Sequence, residues 1–586
     1  MRLAPSVAVF VALAGCGHSP ASHAASADGG PGDAASLAAP RPVAPVSVSF
    51  LTSRQPTFRW KLPAGADGAR FEACADRVCS TVEASFDAAG DHGAPAVDLP
   101  AGVLFWRLRP MLAGVAGDAA SVTWEIVLPH VDAPVATSWG SMLDADGDGF
   151  GDVVVGDSDP IEPSTNVYVH RGSSGGPSAA PSAVLSAPAP VARWASSIAS
   201  AGDVDGDGFG DLLVGSPGED AVYVYRGGAS GFVAAGVLRG TPKSSFGGAV
   251  SGAGDVDGDG YADVVVGAPT LAPPGAVVQG AATVFFGGPD GLSASRSAAL
   301  GPRAGSDAQG LGGYVAEAGD LDGDGLADVA VWGGIESSDP QYVLVYLGKA
   351  RPYGAAPSVL LQYDGASVSW LGAANLLACA GDVNGDGYPD LAMSTPVDPG
   401  SGFTSDHVSL FTGGPGGPSL LPWRRADSPL ATGDVFGLSV AAVDLDQDGF
   451  SDVAVSVASY AQPPVDTVLY AGSAQGPAVA GTWTTRDATT LFERELGSPG
   501  DVDGDGYPDL LVGFPSRVTS PGDGGTTGPD GGRVTLRGAV EVHAGGPRPP
   551  DDGGGGGIGM GGVAARWTLF PPDGTAIAYG ATLARP

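Results

Sequence analysis

Short runs of alternating apolar and polar residues follow one another along most of the chain. Between residues 43 and 130 they include 57–60, 69–72, 104–107 and 122–125. A two-residue period puts the apolar side chains on one face of a strand. Strands of this length at this spacing predict a small β-sandwich over 43–130. Residues 16–42 have almost no large apolar side chains, so we expect a flexible tether there.

From residue 135 to residue 586, one pattern recurs seven times. An acidic, glycine-containing loop is followed by an apolar strand, such as Val264-Val-Val after Asp263. The loops begin at 144, 203, 255, 320, 382, 444 and 501, so the period is close to sixty residues. Such a period means one supersecondary unit per repeat. The 96 glycines and 50 prolines favour short strands joined by turns, so an all-β fold is predicted.

Each loop carries oxygen-bearing side chains at its positions 1, 3, 5 and 9. With the backbone carbonyl of position 7, these oxygens can surround one hard cation at Ca–O distances. A glycine at position 6 permits the positive φ of the tight turn. The predicted ligands of up to seven Ca²⁺ ions are Asp144, Asp146, Asp148 and Asp152; Asp203, Asp205, Asp207 and Asp211; Asp255, Asp257, Asp259 and Asp263; Asp320, Asp322, Asp324 and Asp328; Asp382, Asn384, Asp386 and Asp390; Asp444, Asp446, Asp448 and Asp452; and Asp501, Asp503, Asp505 and Asp509.

Two features separate these loops from an EF-hand, which has a glutamate at position 12 between two helices. Position 12 is apolar here, as at Val155 and Val214, and strand-like sequence follows the loop. The loop therefore belongs to a β-hairpin. Asn384 keeps an oxygen but loses a charge, and Gln447 replaces the usual glycine at position 4 of the sixth loop.

The repeat resembles the FG-GAP (VCBS) repeat of the integrin α-subunit head. A Phe-Gly-like pair precedes the loop, as at Phe246-Gly247, and a Gly-Ala-Pro turn follows the next strand, as at Gly267-Ala-Pro269. The resemblance implies a seven-bladed β-propeller over 135–586, with one calcium loop joining the first two strands of each blade. The fold class is then an all-β propeller preceded by the sandwich, whose Trp60 and 105–107 strand resemble a fibronectin type III module.

The end of the sequence offers a device for closing the ring. Residues 576–583 resemble the opening of an eighth repeat, and the first repeat is short between Trp139 and Asp144. An open propeller would leave two exposed strand edges. We therefore expect the terminal strand to pair into the first blade.

The first residues resemble an export signal. Arg2 precedes an apolar run over 3–14 that is too short to span a bilayer, and Leu13-Ala14-Gly15-Cys16 resembles the lipobox of bacterial lipoproteins. The resemblance implies a signal peptide over 1–15, acylation of Cys16 and export. It also implies a lipid anchor in the outer membrane or at the cell surface of a bacterium. An ordinary secretory signal is the alternative.

Cysteine, histidine and charge limit the chemistry. Cys74 and Cys79 flank a four-residue turn and can close a disulfide, with two free thiols as the alternative. His170 and His543 occupy a strand slot that other repeats fill with aromatics, which indicates packing rather than catalysis. No zinc signature or phosphate loop is present in the sequence. A formal net charge of −36 argues against nucleic acid as a partner.

These features predict a calcium-binding surface lipoprotein that is not an enzyme. It would act in adhesion or ligand recognition, with an unknown protein or glycan on one propeller face and the membrane contacted through the lipid. The alternatives are a lectin-like or polysaccharide-binding role, a hydrolase with an unrecognised site, and a structural envelope scaffold. Calcium is interpreted as a brace for the hairpins, with recognition through the metal as the other possibility.

Overall fold

A computed structural model describes residues 34–157, 163–272, 279–303, 309–334, 341–349, 353, 356–363, 376–395, 407–427, 435–458, 467–483, 495–518, 536–546, 566–570 and 582–585. Within these ranges the fold is all-β, apart from one 3-10 turn at Ala34–Ser36. No helix in the described ranges is long and apolar enough to cross a membrane. The predicted signal peptide and Cys16 lie outside the described residues.

Ten strands form two sheets at the N-terminal end. They are β1 (Arg41–Ala44), β2 (Ser49–Leu51), β3 (Phe58–Lys61), β4 (Gly68–Cys74), β5 (Val82–Ala89), β6 (His92–Gly93), β7 (Gly102–Leu112), β8 (Val115–Ala116), β9 (Trp124–Leu128) and β10 (Ser138–Ser141). One sheet has the order β1-β3-β6, and the other has the order β10-β2-β9-β7-β4-β5 with β8 on β7.

The two sheets enclose an aromatic core. Phe58, Phe71, Trp106 and Trp124 are almost fully buried. Phe58 and Trp60 alternate with the exposed Arg59 and Lys61 along β3, as the two-residue period requires. The N-terminal unit is thus a β-sandwich, and its fibronectin type III character stays a prediction. Its sheets take in β1 and β10, which reach beyond the predicted 43–130.

Seven four-stranded units follow, and these are the blades of the propeller. The first blade contains β11 (Val153–Gly156), β12 (Pro163–His170) and β13 (Ala183–Ala192), and the last strand of the chain, β38 (Thr582–Arg585), joins it. The second blade consists of β14 (Ser197–Gly202), β15 (Asp211–Ser216), β16 (Ala221–Arg226) and β17 (Val233–Arg239), the third of β18 (Val250–Gly254), β19 (Asp263–Gly267), β20 (Ala282–Phe285) and β21 (Ser297–Leu300), and the fourth of β22 (Val315–Gly319), β23 (Asp328–Trp332), β24 (Gln341–Tyr346) and β25 (Val359–Tyr363). The fifth blade consists of β26 (Leu377–Gly381), β27 (Asp390–Thr395), β28 (His407–Phe411) and β29 (Arg424–Asp427), the sixth of β30 (Val435–Val443), β31 (Asp452–Ala458), β32 (Thr467–Ala471) and β33 (Ala478–Trp483), and the seventh of β34 (Glu495–Gly500), β35 (Asp509–Val518), β36 (Leu536–His543) and β37 (Trp567–Leu569).

Packing between blades explains why the residues that follow the position-9 aspartate in the second strand of each unit are mostly apolar. In β19, all five residues of Asp263–Gly267 are buried. Leu213 and Val222 of the second blade pack in one cluster with Val264 and Phe285 of the third. Each blade is therefore covered on both faces by its neighbours, and both faces of its central strands must be apolar.

The terminal strand β38 closes the ring. It pairs antiparallel with β11, with Leu583 opposite Val155, and parallel with β14, with Ala584 opposite Ile198. The C-terminal strand is thus the innermost strand of the first blade. The predicted pairing of the chain end into the first blade is confirmed for Thr582–Arg585.

The expectation that every loop joins the first two strands of its blade is wrong for the first loop. Strand β10, which precedes that loop, pairs with β2 of the sandwich, with Trp139 opposite Phe50. Gly140 lies four residues before Asp144, whereas Gly247 lies eight residues before Asp255. This segment is too short to run along the blade, so β38 takes the inner position and β10 stays with the sandwich.

Candidate calcium sites

The first aspartate of each loop organises the turn. Asp203 accepts backbone N–H groups from Gly206 (2.7 Å), Asp207 (3.0 Å) and Gly208 (2.8 Å). Equivalent bonds to the Asp144, Asp255, Asp382 and Asp501 carboxylates hold four of the other loops. The turn is thus built around a carboxylate, which holds the backbone of the loop in place.

The aspartate at position 9 braces each loop against the third strand of its blade. One oxygen of Asp211 accepts the N–H of Val204 at 2.9 Å, and the other accepts that of Gly227 at 2.9 Å. The same two bonds recur at Asp152, Asp263, Asp328, Asp390, Asp452 and Asp509. These carboxylates are fully buried, so position 9 has a structural role besides its predicted role as a ligand.

The predicted ligands come together in the described loops. Carboxylate oxygens lie within 4.8 Å of one another at positions 1, 3 and 9 of the loops that begin at 144, 203 and 444. In the loops that begin at 255 and 320, positions 1, 3 and 5 do so. Such oxygen-only clusters suit a hard divalent cation.

Asp146 supplies a direct observation that favours an ion in the first loop. Its Oδ2 pairs with Arg171 at 2.6 Å, while its buried Oδ1 has no hydrogen-bond partner. A buried carboxylate oxygen without a partner carries a desolvation cost that a cation would offset. The residues therefore fit a Ca²⁺ ion.

Arginines hold the position-3 carboxylate in three loops. Arg226 Nη1 lies 2.7 Å from Asp205 Oδ2, Arg171 makes the same contact in the first loop, and Arg566 pairs with Asp503 in the last. Sequence reasoning missed these partners. A signal was available for two of them, because Arg171 and Arg226 occupy the same slot, directly before the glycine that follows the third strand.

Backbone conformation explains the glycines. The position-6 glycines have φ between 85° and 98°, a region that side chains rarely adopt. At position 4, Gln447 has φ 50° where the other loops have glycine. The sixth loop thus keeps the left-handed turn in spite of its side chain.

The fifth loop differs in charge. Asn384 Nδ2 donates to Asp386 Oδ2 at 3.0 Å, and Asn384 Oδ1 accepts the N–H of Asp386 at 2.9 Å. The amide thus supplies a hydrogen-bond donor where the other loops have a fourth carboxylate. This loop therefore gathers one negative charge fewer than each of the other six.

Burial raises the pKa values of the position-1 carboxyls. Desolvation raises the pKa of Asp203 and Asp444 to about 8, and neighbouring carboxylates add to the rise. For Asp144 the pKa rises to about 6, because backbone N–H groups and Arg77 offset part of the burial. Without a cation these groups therefore compete for protons near neutral pH.

The sandwich covers the face of the ring that carries the loops. Arg77 Nε donates to the Gly147 carbonyl at 2.9 Å, and Nη1 donates to the Gly208 carbonyl at 2.7 Å. Ser47 also donates to the Gly208 carbonyl, at 3.0 Å. Contacts to later loops are made by Arg41 with the Asp259 carbonyl at 2.5 Å, Thr137 with the Gly387 carbonyl at 2.8 Å, and the ring of His130 stacked on Tyr507 at 5.5 Å.

The cysteines and histidines have structural surroundings. Cys74 and Cys79 form a disulfide. His170 is buried, and its Nδ1 lies 2.7 Å from the Ser178 carbonyl, while His543 is also buried in the corresponding slot. His407 is buried at the start of β28 beside Thr395 and Arg425.

Two repeat families match parts of the chain that hold six of the seven loops. The FG-GAP-like repeat matches residues 144–214 and 203–266, and the FG-GAP repeat matches 376–406, 436–473 and 496–536. These matched segments are FG-GAP repeats, in agreement with the repeating loops and the four-stranded blades.

Proteins similar to this chain include integrin α chains. The chain is 34% identical to integrin alpha-V of Gallus gallus over 221 residues, which is 34% of this chain and 20% of that protein. It is 40% identical to integrin alpha-IIb of Mus musculus over 96 residues, 15% of this chain and 9% of that protein. The matches thus span no more than a fifth of the length of these relatives. Among solved structures, an exotype rhamnogalacturonan lyase aligns over 87% of this chain and 81% of its own with a TM-score of 0.32 and 11% identity, which is too low to indicate a shared fold or function.

Proposed function

We propose that the protein is a calcium-binding, membrane-anchored surface lipoprotein that serves as an adhesion or ligand-recognition module. The observation that carries the calcium part is the sevenfold recurrence of one oxygen-rich turn at the same place in each blade. The resemblance to integrin α chains supports the recognition part.

In this proposal, the side chains of positions 1, 3, 5 and 9 and the carbonyl of position 7 hold one Ca²⁺ in each loop. The ion supplies positive charge to a buried carboxylate cluster. The chain's own residues set the turn through position 1 and brace it through position 9. The loops thus make the blade ends rigid, and the ring becomes a fixed platform.

We propose that the ligand binds at the blade ends opposite the calcium loops, because the sandwich covers the loop face. Arg77, Arg41 and Thr137 already occupy the loop carbonyls. The ligand class we propose is a protein or a glycan. Lipidation at Cys16 would hold the module at the outer membrane or cell surface. Mass spectrometry of the N-terminal peptide tests the lipidation of Cys16, with a Cys16→Ser variant as the control.

Calorimetric titration of the metal-free chain with Ca²⁺, together with thermal melts with and without chelator, tests the calcium part. We expect about seven ions per chain and a large drop in melting temperature on chelation, because binding only to the folded state stabilises it. No heat of binding together with an unchanged melt would refute it.

A glycan array and a pull-down with surface proteins, both on the calcium-loaded chain, then separate the ligand classes. Binding to defined glycans favours the polysaccharide role, and saturable protein binding favours adhesion. Binding to neither would leave a structural scaffold as the better description.

A further inference from the structure

Arg77 connects the sandwich to two neighbouring calcium loops at once. It lies in the hairpin that the Cys74–Cys79 disulfide closes. Its Nε donates to Gly147, position 4 of the first loop, and its Nη1 donates to Gly208, position 6 of the second. One planar guanidinium thus bridges two turns that belong to different strand connections.

Two aromatic rings and a buried carboxylate contact the Arg77 guanidinium. Its carbon lies 4.4 Å from the centre of the Phe209 ring and 5.3 Å from that of Phe105. Its Nη2 pairs with Glu125 Oε2 at 2.5 Å, and the Glu125 side chain is fully buried. This short contact inside the protein directs the guanidinium, because loss of Arg77 would leave the buried Glu125 Oε2 without this donor. Arg77 therefore has one well-defined place, against the two loops.

We propose that Arg77 is a positioning residue that links calcium binding in the first two loops to docking of the sandwich. This rests on the proposed calcium function of the loops. A loop that closes around an ion fixes the directions of its carbonyls, and Arg77 binds carbonyls in both turns. Because coupling is reciprocal, a docked sandwich raises the calcium affinity of these loops, and calcium strengthens docking.

Hydrogen–deuterium exchange of the full-length chain across a calcium titration tests the linkage. We compare Arg77→Met, which removes the charge, with Arg77→Lys, which keeps it without the planar fork. Arg70→Met is the matched control, because Arg70 pairs with Asp87 on the exposed surface of the same sandwich. In Arg77→Met we expect the calcium midpoints of the peptides over 144–152 and 203–211 to rise about tenfold, the scale of a moderate coupling. The peptide over 444–452 should keep its midpoint, Arg77→Lys should recover part of the loss, and Arg70→Met should match the unaltered protein.

Two glycines provide a second comparison that leaves the Arg77 side chain unaltered, although a Cβ on Gly208 would also come within 2.9 Å of Arg77 Nη1. Gly208 has φ 98° and Gly506 has φ 93°, so an alanine strains both turns equally. A Cβ on Gly208 would lie 2.5 Å from the Thr123 carbonyl of the sandwich, whereas at Gly506 the nearest atom is 3.5 Å away. We expect Gly208→Ala to increase exchange over 74–79 and 123–125, and Gly506→Ala to leave both peptides unchanged.

The outcomes separate the two proposals. If calcium protects no loop in the unaltered protein, the calcium function fails and the linkage fails with it. If calcium protects all loops but Arg77→Met leaves the first two midpoints unchanged, the linkage is overturned and the calcium function stands. If Arg77→Met does not fold, the two glycine variants decide. The linkage is then overturned if Gly208→Ala and Gly506→Ala change the exchange of the peptides over 74–79 and 123–125 by the same amount.

Discussion

Leu583 pairs with Val155, so the last strand of the chain completes the first blade. The same strand lies parallel to β14 of the second blade, with Arg585 opposite Ala199. Strand β38 therefore fills the gap between two blades. Without it, β11 and β14 would both present unpaired backbone groups.

Deleting residues 575–586 should lower the melting temperature of the calcium-loaded chain sharply. Two strand edges lose their partner, and a loss of about 2 kcal/mol shifts the melting temperature by about 4–8 °C at roughly 2–4 °C per kcal/mol. Differential scanning calorimetry measures the shift. Deleting Pro586 alone is the control, and a peptide of residues 575–586 added in trans should restore part of the loss. An unchanged melt of the long deletion would contradict the role of β38 as a latch.

The calcium loops and the closing strand β38 can be predicted from the sequence, because both depend on local sequence patterns. The loops were located by the spacing of oxygen-bearing residues, and the latch by the likeness of 576–583 to a repeat opening. The pairing of β10 with the sandwich instead of the first blade cannot be predicted from the sequence. Trp139-Gly140 and Tyr579-Gly580 are both suitable openings for the first blade, and the choice between them depends on how far each segment reaches in the closed ring.

The role of Arg77 cannot be predicted from the sequence for a related reason. The pattern around Cys74 and Cys79 indicates a hairpin, but no local pattern states which surface that hairpin meets. The contacts of Arg77 with Gly147 and Gly208 join residues far apart in sequence. Contacts of this kind follow from domain docking, which has no periodic signal. The sequence also does not show that the position-9 aspartate braces the loop through two backbone hydrogen bonds. The spacing of the aspartates indicates where side-chain oxygens lie, but not which backbone N–H groups they accept.

Position 9 and position 5 should respond differently to loss of charge. Asp211 is buried and accepts two N–H groups, whereas Asp207 is exposed and accepts the N–H of Phe209. Asp211→Asn sets an NH₂ group against one of those donors, so we expect a loss of about 1–3 kcal/mol in unfolding free energy even in chelator. Asp207→Asn should matter only when calcium is present.

Denaturant unfolding of both variants, each with calcium and with chelator, checks this difference. If the two variants lose the same stability in chelator, position 9 is not a brace independent of the metal. If Asp211→Asn is harmful only with calcium, its backbone bonds contribute little.

In chelator, the unfolding free energy should fall as pH rises from about 5 to about 8. The folded-state pKa values of Asp203 and Asp444 are raised to about 8 by burial, above the ordinary value near 3.8. The folded state therefore binds more protons than the unfolded state across this window, and raising the pH removes that advantage. Saturating calcium should flatten the dependence, because the ion replaces the protons. Urea titrations at pH 5, 6.5 and 8 measure it, and a stability in chelator that increases with pH would contradict the raised pKa values.

Glu317 offers a test of buried charge that does not involve the calcium loops. It lies on β22 among the inner strands, next to Trp139 and Cys379, and accepts the N–H of Gly140 on β10. Burial raises the pKa of Glu317 to about 7, although the Gly140 N–H lowers it in part. Since the folded-state pKa exceeds the unfolded value of about 4.5, the penalty for ionised Glu317 is small near pH 5, grows as the pH rises to about 7 and is complete above that pH.

Glu317→Gln keeps an acceptor oxygen for Gly140 and removes the ionisation. We expect this variant to be more stable than the unaltered chain at pH 8, by up to about 3 kcal/mol, and no more stable at pH 5. Urea unfolding at saturating calcium at both pH values measures the difference. Glu83→Gln is the control, because Glu83 is exposed on the sandwich strand β5 and should give the same small effect at both pH values. If the stability difference for Glu317→Gln does not change with pH, the Glu317 carboxyl is not desolvated in the way that its place between β10 and the inner strands requires.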